Sequence, residues 1–212
     1  MINGNRWWPS AFGADDQQGM LNHITDAKRR AALALVRTGR MYDLGHVLDE
    51  HVPVFPGRYF RQTLVTSAHH YNERAGGGLG DNRVNWVIEN VSATTQLGTH
   101  LDMLNHLQVG DRGYNGWTVA ELAEPWGTNR LGAETAPQIV TRAWLVDVPA
   151  VRRVASLDRG DVVAIEDVKR ALDGAEPEPG DAMLFHTGWS RHWSDTVTYL
   201  DGEPGPGMAL AR

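Results

Sequence analysis

The chain has 212 residues, 42% of them hydrophobic, and a formal net charge of -6, which allows one substantial core and predicts a single domain over residues 1–212. The acidic balance and the absence of a Lys/Arg-rich run argue against a phosphate-backbone binder, so no nucleic-acid partner is expected. With no cysteine, any metal must bind through His, Asp, Glu or Gln, and with no leader-like N-terminus and no run of about 18 apolar residues the expectation is a soluble cytoplasmic protein without a membrane partner.

Thr25 or Asp26 is placed to cap a helix over residues 27–37, whose alanines and leucines favour helix and which Gly39 should end. Met41-Tyr42-Asp43-Leu44 reads as a short strand. It enters the loop His51-Val52-Pro53-Val54-Phe55-Pro56-Gly57, where two prolines forbid continuous helix and stiffen a segment able to wall a pocket. His69 and His70 are adjacent, would face opposite ways in a strand, and read as a surface pair. Residues 75–82 are glycine-dense but lack the Lys-Ser/Thr ending of a phosphate loop, so they predict a turn and not a nucleotide site.

Residues 83–95 have the Val, Ile and Trp content of a strand. Thr118-Val119-Ala120-Glu121 has the spacing of a capping box opening a short helix through Ala123. A buried strand is predicted over residues 143–148, an amphipathic helix over residues 166–172 ended by Asp173-Gly174, and another strand over residues 181–186. A helix is expected to start at Met208; five residues cannot hold a helix in water, so the natural fold is expected to continue past Arg212. The mixture of strands and helices without a regular βαβ period predicts one α/β domain, a mixed sheet with flanking helices. The tryptophans are expected in core or interface positions.

The chemistry concentrates in Gln96-Leu97-Gly98-Thr99-His100-Leu101-Asp102, followed by His106. In an extended strand Gln96, Gly98, His100 and Asp102 would project to one side. Imidazole and carboxylate together suit Zn²⁺, Mn²⁺ or Fe²⁺, and Gly98 leaves space for water or substrate. His106, past the loop Met103-Leu104-Asn105, is placed to fold back as a base. An isolated His-x-Asp pair is seldom a metal site; the Gly-Thr before it and the His after it make this one specific. No Gly-x-Ser-x-Gly elbow is present, so metal-activated water is favoured over a serine nucleophile.

This segment resembles the signature of the cyclase family of metal-dependent hydrolases, which includes bacterial kynurenine formamidase and isatin hydrolase and reads His-x-Gly-Thr-His-x-Asp-x-Pro-x-His. Tyr42-Asp43-Leu44-Gly45-His46, Val52-Pro53-Val54-Phe55-Pro56-Gly57, Tyr114-Asn115-Gly116 and Gly180-Asp181-Ala182-Met183-Leu184-Phe185-His186-Thr187-Gly188-Trp189 resemble further segments of the family in the same order, so the resemblance spans nearly the whole chain. It implies a swivelling β/β/α fold, a homodimer, and a divalent metal ion, Zn or Mn, whose activated water opens an amide, formamide or lactone/lactam carbonyl. Carried over residue by residue, the metal ligands are Gln96, His100 and Asp102, and the catalytic acid/base is His106.

Gln96 stands where the signature has His, and its neutral amide oxygen either binds the metal weakly or holds a water on it. Leu104 stands for the usual Pro, which alters loop stiffness more than chemistry. The resemblance also implies further His and Glu or Gln residues of the site beyond Arg212. Phe55 is expected to wall an aromatic or apolar substrate, and His186, in a strand whose family counterpart is often Arg, to line the pocket. The competing expectation is a non-catalytic or truncated relative that binds a small molecule.

Overall fold

Thr25 caps the first helix as its sequence predicts: its hydroxyl accepts a hydrogen bond from Lys28 N at 3.2 Å, and Asp26 sits in the first turn where the helix dipole favours a negative charge. In the computed structural model, which describes residues 7–66, 81, 82, 84 and 86–210, this helix, α1, spans Asp26–Leu33. It stops short of the expected residue 37 because Leu35 N and Val36 N bond three residues back, to Ala32 O and Leu33 O, tightening the chain into turns. The expected strand at Met41 to Leu44 is absent; those residues are exposed irregular chain.

Next come strands β1 (Phe60–Thr66) and β2 (Ile88–Ala93), helix α2 (Val119–Leu122), strands β3 (Ala123–Glu124), β4 (Gly127–Thr128) and β5 (Ala143–Asp147), and helix α3 (Val148–Arg152). Strand β6 (Val162–Val163), helix α4 (Ile165–Leu172), strand β7 (Ala182–His186), helix α5 (Thr196–Tyr199) and strand β8 (Gly205–Pro206) complete the order. The capping box of α2 is formed in both directions, Thr118 to Glu121 and back, and α4 ends where Asp173 turns left-handed at φ 48°. His69, His70 and the glycines from 76 to 80 lie outside the described residues.

These elements gather into two compact units. The first holds, within the described residues, 7–42, 101–189 and 202–210. Its centre is the parallel pair β5 and β7, in register from Ala143 opposite Ala182 to Asp147 opposite His186. Val146, Val148, Leu157 and Val163 are buried beside this pair, and Val168, Ala171, Met183 and Phe185 pack around them. The short parallel pair β6 and β8 and the antiparallel pair β3 and β4 belong to the same unit. At the turn between β3 and β4, Trp126 is exposed, against the expectation of a core or interface ring, whereas Trp189 is buried.

The second unit, residues 43–100 and 190–201, is built on the antiparallel ribbon of β1 and β2, paired from Phe60 opposite Ala93 to Thr66 opposite Ile88 with a bulge between Leu64 and Thr66. The molecule is thus mixed α/β, with small sheets and flanking helices. Among the described residues no helix is long and apolar enough to cross a membrane.

Asn115 explains the Tyr-Asn-Gly segment. It is buried at φ 58°, a left-handed conformation that Asn tolerates better than most residues, and its side chain ties down the N-terminal loop. Ser10 N donates to its Oδ1 at 2.7 Å, while its Nδ2 donates to Gly13 O at 2.9 Å and Ala14 O at 2.8 Å. Asn115→Ala removes three hydrogen bonds to the part-buried N-terminal loop and puts alanine in a left-handed conformation that it tolerates less well than Asn. It is expected to lose about 2–4 kcal/mol in urea denaturation; a loss under about 0.5 kcal/mol would contradict this role.

Candidate functional site

The signature does not form a strand. After β2 the chain bends through residues 95–99, and Gly98 takes φ 54°. A Cβ on Gly98 would collide with Leu48 Cδ2, so this glycine serves both the turn and a close approach. The alternation of faces expected for Gln96, Gly98, His100 and Asp102 therefore does not apply. Two-residue periodicity needs extended backbone, and a left-handed glycine ends it.

The boundary of the two units falls between His100 and Leu101. Within the second unit, Thr99 of the signature fastens the loop at residues 44–46: His46 N donates to Thr99 Oγ1 at 3.1 Å, and Thr99 Oγ1 in turn donates to Leu44 O at 3.5 Å. The His46 ring stacks on Trp193, centroids 3.8 Å apart at 7°. Gln96 is held at two points. Its backbone oxygen accepts from Arg58 Nη1 at 2.8 Å, and its Oε1 accepts from the Thr95 hydroxyl at 2.8 Å. The same Arg58 guanidinium sits 5.4 Å from the centre of the Phe55 ring, which joins the proline-flanked loop to the first position of the signature. His100 donates from Nδ1 to Gly98 O at 3.0 Å. A carbonyl oxygen only accepts, so Nδ1 carries the proton of that bond.

Within the first unit, Asp102 and His106 are brought together. His106 N bonds to Met103 O at 3.0 Å, turning the chain so that His106 Nε2 lies 3.9 Å from Asp102 Oδ1. That separation is too long for a direct hydrogen bond and short enough for both groups to reach one intervening oxygen. Both side chains line an open cavity of about 500 Å³ whose walls include Trp7, Met103, Leu104 and Arg112. The volume suits a small ligand, and a mostly apolar wall with a few polar groups is the usual make-up of such sites. Tyr114 also borders the cavity; its hydroxyl donates to Asp16 Oδ2 at 2.6 Å, and burial, helped by that carboxylate, pushes the phenol pKa up.

His186 is elsewhere in this unit. It ends β7, half exposed, with Nδ1 3.0 Å from Asp147 Oδ1 at the end of β5, and it is not among the cavity walls. The His186 bond, with a second from Ala150 N, lowers the Asp147 pKa. Arg112, Arg58 and Asp147 are the participants that the sequence did not reveal. Arg112 and Asp147 lie at a turn and at a strand end where no motif marks them, and Arg58 had only its place after the Pro-Gly loop to recommend it.

The donor chemistry of the signature fits a divalent ion. A His whose Nδ1–H is bonded to a backbone carbonyl is the usual arrangement for coordination through Nε2, and an amide oxygen that already accepts one hydrogen bond keeps a second lone pair. Among the described residues no three His, Asp or Glu side chains are gathered closely enough to make a cation site by themselves. Gln96 and His100 belong to the second unit and Asp102 to the first.

The protein is mixed α/β, and its His-x-Asp-x₃-His segment puts Asp102 and His106 on the wall of an open cavity in the first unit. Residues 42–212 match the Cyclase family model, and the chain belongs to that family. A solved crystal structure of a novel cyclase superposes with a TM-score of 0.83 at 27% sequence identity, the match covering 92% of this chain and 68% of that one. No curated protein matches the chain.

Proposed function

We propose that this cyclase-family chain is a metal-dependent hydrolase that opens an amide, formamide or lactone/lactam carbonyl. The observation that carries the reading is the Asp102–His106 pair on the wall of a cavity of about 500 Å³. His100 and Asp102 hold the ion, Zn or Mn, with Gln96 as a third, weaker ligand or as the holder of a water upon it. A divalent ion bound there supplies a water of lowered pKa and a Lewis acid for the carbonyl. His106 takes the proton of the attacking water at Nε2 and returns it to the departing nitrogen or oxygen, and the wall around Trp7 and Leu104 offers apolar surface to the substrate. Phe55 acts on the substrate side, the fold is of the swivelling β/β/α type, and the working form is a cytoplasmic homodimer.

A second reading, a relative that binds a small molecule without turning it over, is favoured by one observation: Gln96 Oε1 is already engaged by Thr95. Elemental analysis separates the two. The expected result is about one Zn or Mn per chain in the wild type, lost in His100→Ala. A wild type that stays metal-free after incubation with both ions contradicts the hydrolase reading.

A further inference from the structure

Among the described residues, the cavity that holds Asp102 and His106 has one permanent cation in its wall, Arg112. This side chain is held in place. Its Nη1 donates to Gly116 O at 2.7 Å, and its guanidinium lies 5.2 Å from the centre of the Trp8 ring. Those contacts use one of five N–H donors and one face of the plane. Among the described residues no carboxylate forms an ion pair with it; Glu121 feels its charge, but that carboxylate is bonded to Thr118 in the capping box. A guanidinium is planar, charged at every physiological pH, and shaped for two-point bonding to a carboxylate. The rest of the wall, Trp7, Leu104 and Leu107 among it, offers apolar surface.

We propose that Arg112 is a specificity-determining residue, and that the ligand of this cavity is a small apolar or aromatic carbonyl compound bearing a carboxylate, which the guanidinium binds while the scissile carbonyl faces His106. The assignment of the carbonyl rests on the hydrolase reading; the assignment of the carboxylate to Arg112 does not. A neutral ligand of the same shape leaves the Arg112 donors without a partner in an apolar wall. An anionic one gains charge-assisted hydrogen bonds to them.

The test is calorimetric binding of benzoate and of its neutral isostere benzamide to the full chain, as purified and again after treatment with chelator. Benzoate is expected to bind roughly tenfold more tightly than benzamide in both preparations, with the preference abolished in Arg112→Gln and partly kept in Arg112→Lys. Equal binding of the two probes by the wild type overturns the proposal without recourse to any variant. So does a preference that survives in Arg112→Gln, or one that disappears on chelation, which would place the carboxylate on a metal. Hydrolysis is scored separately: a chain with the Arg112-dependent preference and no turnover refutes the hydrolase reading and leaves the carboxylate site standing.

Discussion

His106→Ala is expected to lower kcat/KM for small amide or lactone substrates by roughly 10²–10⁴-fold, with the urea midpoint little changed. The size follows from what the ring does. His106 Nε2 faces Asp102 Oδ1, 3.9 Å away, and among the described residues no other imidazole is in the cavity wall. The small effect on stability follows from the backbone: the turn is held by His106 N to Met103 O and by the burial of Met103, neither of which needs the imidazole. A panel of formanilide, isatin and dihydrocoumarin, assayed with added Zn²⁺ or Mn²⁺, makes the measurement. The same rate in wild type and variant on every substrate that is hydrolysed would remove His106 from the reaction. Loss of the folded state in the variant would instead make it a structural residue, so circular dichroism accompanies the kinetics.

Where the sequence carried local chemistry that acts within a few residues, it predicted the structure well. Thr25 caps α1, Thr118 and Glu121 form their box, and Asp173 closes α4, because a cap is a bond between near neighbours and no tertiary contact has to be known. The strands β5 and β7 were legible from apolar content, although their parallel pairing was not. The signature was legible as chemistry and misread as geometry. Val and Ile before it suggested extended chain, but Gly98 is left-handed at φ 54°, a conformation open to glycine that strand-like neighbours do not reveal. The end of α1 was set the same way, by turns after Leu33 that alanine and leucine propensities oppose. Arg112 became visible only when folding placed it in the wall beside Asp102 and His106, since an arginine in a Gly-Asp-Arg-Gly turn has no local mark of a ligand contact.

Asp181→Ala is expected to cost about 2–4 kcal/mol at neutral pH: Trp144 Nε1 and Glu178 N lose their acceptor, while Lys28 and Arg142 keep Glu178 as a partner, at 3.1 and 3.3 Å. The Asp181 side chain is 1% exposed, and its oxygens join three parts of the first unit. Oδ2 accepts from Arg142 Nε at 2.9 Å and from Trp144 Nε1 at 2.8 Å, while Oδ1 meets Lys28 Nζ of α1 at 2.6 Å. Glu178 N also donates to Oδ2, at 2.9 Å, closing the turn before β7. Burial alone would raise the pKa of this carboxyl; Arg142, the Glu178 amide, Lys28 and Trp144 outweigh it and hold the pKa well below the ordinary value. A carboxyl with a depressed folded-state pKa contributes its stability at pH above its unfolded value, about 3.9, and loses it as pH falls towards the folded value. Asp167, lowered chiefly by Arg152, adds to the same trend. Urea midpoints of the wild type should therefore be steady from neutral pH to about pH 5 and fall steeply below about pH 4, and in Asp181→Ala the curve should begin lower and fall less. A variant within about 1 kcal/mol of the wild type at neutral pH would mean that the network around Asp181 repacks without it. An acid limb as steep in the variant as in the wild type would assign the acid sensitivity to other carboxylates, Asp167 first among them.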